Sequence, residues 1–166
     1  MRGVGPLPAG KKAPAFKLKG EDGSPRTFKA QAGEPLVLLA FYKDTCPVCQ
    51  FTLPFLERIY QEIKGKLTFW AVSQDDAQKA KGFARDYGLT FPQVIDRPGY
   101  PVSNAYGINS VPTTFLIEPE GKILKVIEGF MKKDLEDLAR DLGKLLGVPA
   151  PVVFNPGEDV PALRPG

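Results

Sequence analysis

Seven consecutive apolar residues, LVLLAFY from Leu36 to Tyr42, stand out against an otherwise mixed sequence. A run of that length with no polar alternation predicts a strand buried on both faces, in a sheet that is at least partly parallel. Gly33-Glu34-Pro35 turns the chain into it. Upstream, AFKLKGEDGSPRTF sets two short alternating stretches around Asp22-Gly23-Ser24-Pro25, the pattern of an edge β-hairpin. Downstream, Phe51, Phe55, Leu56, Ile59 and Ile63 recur at helical spacing in QFTLPFLERIYQEIK. The intervening KDTCPVC therefore lies where a strand hands over to a helix. Pro54 falls inside that helix, where it removes a hydrogen bond and is expected to bend the axis.

The alternation continues in the same manner. LTFWAVS reads as a second buried strand, and Asp75-Asp76 can cap a helix that runs to about Tyr87 and closes at Gly88, which completes a βαβ unit. FPQVID is a short third strand, YPVSNAYG a short helix or turn, and TTFLIEPEGKILKVIEG two strands joined so tightly that they must be antiparallel. MKKDLEDLARDLGKLLG gathers Leu135, Leu138, Leu142, Leu145 and Leu146 on one face of a closing helix, with Gly147 as its cap. Beyond it five prolines, from Pro149 to Pro165, predict a tail that is extended or disordered. The expected organisation is an N-terminal extension over 1–12, one α/β domain over 13–147, and a Pro-rich tail over 148–166, in which Val152, Val153 and Phe154 could dock on the domain.

Composition narrows the chemistry. A chain of 166 residues that is 43% hydrophobic can bury a core of its own. Its formal net charge of +3 arises from Lys and Arg interspersed with Asp and Glu, so neither nucleic acid nor a membrane surface is an expected partner. There are two Cys and no His. Serine–histidine and cysteine–histidine nucleophile pairs are thereby excluded, and a zinc site would be short of ligands, so no metal is expected. MRGVGPLPAGKKAP carries no signal-like apolar stretch and no later segment approaches the roughly 20 apolar residues that span a bilayer. The expectation is a cytoplasmic protein, or an extracytoplasmic one if an export signal has been removed.

Cys46 and Cys49, at i and i+3 on a helix start, lie within the reach of a reversible disulfide. Cys46 faces the free N–H groups and positive end of the helix dipole, which stabilise a thiolate, whereas Cys49 is one turn inward. The asymmetry makes Cys46 the attacking thiol and Cys49 the resolving one. Pro47 fits the first turn and stiffens the link. Lys43 is a candidate cation beside Cys46 or else a solvated residue, and Asp44 a candidate tuning group or a surface cap. A structural disulfide closing so short a loop would restrict the unfolded chain little, so redox exchange is the better reading.

These residues resemble the thioredoxin superfamily and, within it, the redoxin/TlpA/ResA-like oxidoreductases related to the AhpC/TSA redoxins, over about Ala13 to Leu146. The carriers are LVLLAFY leading into CPVC, Pro54 in the next helix, and YGINSVPTTFLIEPEGKI with Gly129 after the last strand. The resemblance implies a thioredoxin fold, a central mixed sheet flanked by helices with the N-terminal hairpin added. It implies a cis bond at Val111–Pro112, with Pro112 packed near the Cys pair and Val111 offering backbone groups to a substrate chain, while Thr45 and Pro47 flank the nucleophile. The activity implied is thiol-disulfide exchange with protein or small thiol partners, by a monomer or weak dimer, with the Cys46–Cys49 disulfide as the redox group and no other cofactor.

The departures bear on mechanism. Thioredoxin's buried Asp is replaced by Ala40, the ResA-like Glu by Thr52, and the Trp before the first Cys by Thr45. No obvious carboxylate is left to deprotonate Cys49. Two rivals share the fold. A peroxiredoxin needs Thr or Ser three residues before its nucleophile, where this chain has Lys43, and a Pro where it has Leu39. A binding or chaperone module has usually lost one Cys, and here both remain.

Overall fold

The computed structural model describes residues 5–166. Within it β1 (Phe16–Gly20) and β2 (Pro25–Phe28) form the expected hairpin, with Phe16 opposite Phe28. The apolar run becomes β3 (Val37–Tyr42), all six residues of which are buried. It is followed by α1 (Pro47–Ile63), β4 (Thr68–Ser73), α2 (Ala77–Tyr87), β5 (Gln93–Ile95), α3 (Pro101–Tyr106), β6 (Thr113–Ile117), β7 (Ile123–Glu128), β8 (Phe130–Met131), α4 (Lys132–Leu146) and β9 (Leu163–Arg164). Seven strands make one mixed sheet in the order β2-β1-β5-β4-β3-β6-β7, with β3 parallel to β4 and antiparallel to β6.

Because side chains alternate across a strand, β3 feeds two cores. Leu38, Ala40 and Tyr42 join Leu53, Leu56 and Ile59 of α1, Phe83 of α2, and Leu135, Leu138 and Leu142 of α4. Val37, Leu39 and Phe41 face the opposite side, where Val102 and Tyr106 of α3 cover them. Helices therefore sit on both faces, and the carboxyl end of β3 opens at a single point, the 43–46 loop. Among the described residues no helix is long and apolar enough to cross a membrane.

Residues 1–4 of the N-terminal extension lie outside the described residues. The remainder is tied down by backbone hydrogen bonds: Leu7 N–H to Tyr106 O (3.0 Å), Gly10 N–H to Ile123 O (2.8 Å) and Ala13 N–H to Gly121 O (2.7 Å). The tail is extended, as its prolines predict, but the disorder offered as the other outcome is not what the structure shows. Val153 is buried, Phe154 stacks 5.0 Å from Phe55, and β9 pairs with β8. Arg58 of α1 grips Glu158 through both guanidinium nitrogens, at 2.7 and 2.8 Å, and also donates to Val153 O. Val152, by contrast, remains exposed. A proline-rich segment has little backbone freedom to lose, so a few apolar contacts, one ion pair and a short strand pairing hold it.

Candidate active site

Cys46 is the N-cap of α1, with φ −85° and ψ 114°, and its Sγ accepts the Cys49 N–H at 3.2 Å. Pro47, in the first turn, lacks an N–H that would in any case go unpaired there. Cys46 is half-buried and Cys49 wholly buried, both as free thiols. Burial drives the Cys49 thiol far above the ordinary range, helped by Cys46 and by the charge of Asp75; only the backbone N–H of Lys43 works in the opposite sense. Lys43 thus acts on the pair through its main chain, while its side chain is exposed, as is that of Thr45.

Residues far apart in sequence complete the site. β6 pairs with β3 so that Thr113 lies opposite Phe41, and this brings the Val111–Pro112 bond, which is cis, to the start of α1. The Cys46 thiol donates to Val111 O at 3.4 Å, and Gly129 N–H donates to Pro112 O at 2.8 Å. Pro112 is buried and Val111 half-exposed. A second cis bond, at Arg97–Pro98, was not anticipated.

The two positions where relatives of this fold carry a carboxylate bring none: Ala40 and Thr52 are both buried, and Thr52 Oγ1 has no hydrogen-bond partner. The acid comes instead from the end of β4. Of the two adjacent aspartates, Asp76 caps α2 by accepting the Lys79 N–H at 2.9 Å. Asp75 turns inward, 5% exposed, its own N–H donated to Ser73 Oγ (3.0 Å) and its Oδ2 accepting the Asp44 N–H (2.8 Å). Burial raises the Asp75 carboxyl above the usual range; the Asp44 N–H opposes this, the neighbouring Asp44 carboxyl adds to it, and Lys79 pulls it down. Asp44 Oδ1 is itself buried and finds no donor. The Tyr42 hydroxyl, hydrogen-bonded to Gln93, faces the same pair.

Sequence reasoning missed Asp75 because both aspartates were read as caps. The signal was there: two acids stand one residue beyond a buried strand, where one cap suffices. Among the described residues no group of three or more His, Cys, Asp and Glu gathers to hold a metal ion.

The chain is similar to known proteins. The AhpC/TSA family profile matches residues 9–126. Thiol-disulfide oxidoreductase ResA of Geobacillus thermodenitrificans is 36% identical over 135 residues, spanning 80% of this chain and 75% of its own. Thioredoxin-like protein YneN of Bacillus subtilis is 34% identical over 132 residues, spanning 76% of each. Among solved structures, a putative thiol:disulfide interchange protein DsbE from Chlorobium tepidum superposes with a TM-score of 0.73 at 29% identity, over 85% of this chain and 99% of that one. With its CPVC pair on a helix start, facing a cis-proline loop across a mixed sheet, the chain belongs to the AhpC/TSA family and stands within it among the ResA-like thiol-disulfide oxidoreductases of the thioredoxin superfamily.

Proposed function

We propose that the protein exchanges disulfides with thiols of protein or small-molecule partners, that Cys46 and Cys49 alone carry the two electrons, and that Asp75 handles the proton of Cys49. The carrying observation is the asymmetry of the pair: Cys46 Sγ stands half-exposed between the Cys49 N–H and the Val111 carbonyl, whereas Cys49 is buried.

In the reducing direction, the Cys46 thiolate attacks one sulfur of a substrate disulfide. That S–S bond breaks, a Cys46–substrate disulfide forms, and the departing sulfur leaves as a thiolate that takes up a proton. Cys49 passes its proton to the Asp75 carboxylate and attacks Cys46 Sγ. The mixed disulfide breaks, the second substrate sulfur leaves and is protonated, and the pair ends oxidised by two electrons while the substrate is reduced by two. The reverse sequence oxidises a dithiol, and the reduction potential of the pair against its surroundings selects the direction. Val111 lends its backbone to the substrate chain, and Thr45 and Pro47 form the rim it meets.

Reduction of insulin in the presence of dithiothreitol tests this reading, together with mass spectrometry of Cys49→Ser incubated with a disulfide-linked peptide. The expected result is turnover by the natural sequence and a trapped adduct on Cys46 in the variant. Hydrogen peroxide consumption at comparable rate, without a trapped adduct, would favour the peroxidase instead. Cell fractionation separates the cytoplasmic placement from the extracytoplasmic one.

A further inference from the structure

The tail passes over the active site. After Phe154 and the Arg58–Glu158 pair, it runs antiparallel to the residues that follow β7: Leu163 lies opposite Met131, Arg164 opposite Phe130, and Lys132 N–H donates to Ala162 O at 2.9 Å. The Arg164 guanidinium lies over the Phe51 ring, 4.7 Å from its centroid, on the first turns of α1. The chain then crosses Gly129. A Cβ there would stand 2.8 Å from Arg164 O and 3.0 Å from Gly166 N, and φ is +70°, so both conformation and contact require glycine. Gly166 finally rests against Val111: a Cβ on it would collide with the Val111 carbonyl oxygen and stand 2.9 Å from the carbonyl carbon. That carbonyl also receives the Cys46 thiol.

Val111, Gly129 and the start of α1 are therefore covered by four residues of the same chain, Leu163–Gly166, in extended form. We propose that this segment occupies the groove through which an extended polypeptide reaches Cys46, so that the tail competes with polypeptide substrates and selects against them relative to small disulfides. The inference rests on the reading of Val111 as the substrate edge. A small disulfide needs only the sulfur of Cys46. A polypeptide needs the backbone of Val111 as well, and must first displace Gly166.

The contact is also built to be reversible. Leu163 is more than half exposed, and Pro165, without an N–H, adds no hydrogen bond to hold the last residues. If the uncovered form is about a tenth of the population, apparent affinity for a polypeptide falls about tenfold, and freeing the tail restores it.

The test uses the full chain. Gly166→Val introduces a side chain that cannot fit beneath Val111, and Arg164→Ala removes the stacking on Phe51; neither residue belongs to the proposed catalytic machinery. The expected result is a rise in kcat/KM of about three- to tenfold towards insulin in both variants, against less than about twofold towards the small disulfide 5,5′-dithiobis(2-nitrobenzoate). Equal rises towards both substrates, or none towards insulin with unchanged thermal unfolding, would overturn the proposal. As a second measurement, Cys49→Ser trapped with a disulfide-linked peptide should lose amide-exchange protection at Arg164, whose N–H is paired in the ladder with Phe130; unchanged protection would likewise overturn it. Failure of the natural sequence to reduce insulin or to form any adduct would instead count against the proposed function itself.

Discussion

The two sulfurs of one helical turn live in different regions. Around Cys46 the surroundings come from distant parts of the chain: the loop at Val111–Pro112, Gly129 after β7, and the tail. Around Cys49 they come from the ends of β3 and β4 and their loops, with Lys43 supplying a backbone N–H and Asp75 a buried carboxyl. The outer region is open, partly covered by a removable strap, and decides which partner arrives. The inner region is closed and decides when a proton leaves. One short motif can serve both purposes because i and i+3 on a helix start differ so much in exposure.

The sharpest way to break this comparison is to exchange the sulfurs' fates. Cys46→Ser should lower turnover by about a thousandfold or more, whereas Cys49→Ser should stall at a mixed disulfide; full activity in Cys46→Ser would end the assignment. Next in size is Asp75→Asn, expected to slow resolution by about a hundredfold without slowing the first attack by Cys46, as read by stopped-flow kinetics.

The same substitution should make the protein more stable, by about 1 kcal/mol near neutral pH. Asp75 is raised in the folded state, so the stability it contributes is present at low pH and is lost as pH rises through its folded value. Removing the ionisable group removes that loss, and urea midpoints at pH 4 and pH 8 should therefore differ less in the variant than in the natural sequence.

Phe154→Ala, which strips the tail of its ring contacts with Phe55 and Phe130, should cost about 2 kcal/mol of unfolding free energy. A smaller effect concerns Glu158, whose carboxyl the Arg58 guanidinium holds down to about 2 from an ordinary 4.5. A depressed carboxyl contributes above its unfolded value and loses that contribution as pH falls. The tail's ion-pair anchor should accordingly loosen between pH 4.5 and about 2, seen as growing amide exchange at Arg164, and Glu158→Gln should remove the dependence. Smallest is Lys43→Ala, which leaves the backbone N–H in place and should alter exchange rates less than about twofold; a large drop would show that its side chain does matter.

Much of this was legible in the sequence because periodicity carries it. LVLLAFY is the central strand that its apolar run predicts, and Leu135, Leu138 and Leu142 face the core as their spacing predicts, whereas Leu145, expected on the same face, is exposed. The Cys pair was legible for the same reason, since its chemistry depends on three residues of spacing. Asp75 was not, because its role rests on which of two neighbouring acids turns inward, and that is decided by the Asp44 N–H across the loop. The tail was read only in part: prolines announce extended backbone, but the surface that Val153 and Phe154 cover exists only once α1 and α4 are packed side by side.

The N-terminal segment has a consequence for how copies of the protein treat one another. An exposed strand edge is a template on which a second chain can pair and from which fibrils grow. Here one edge of the sheet is β7, and the stretch from Gly10 to Ala13 is laid beside its beginning, taking Ile123 O and bridging Lys12 to Lys122. The other edge, β2, is four residues long and opens on Pro25, which has no N–H to offer. With the beginning of one margin covered and the other short and opened by a proline, the sheet gives a neighbouring molecule less backbone to join, and concentrated solutions should stay clear where a fully open sheet of the same core would cloud.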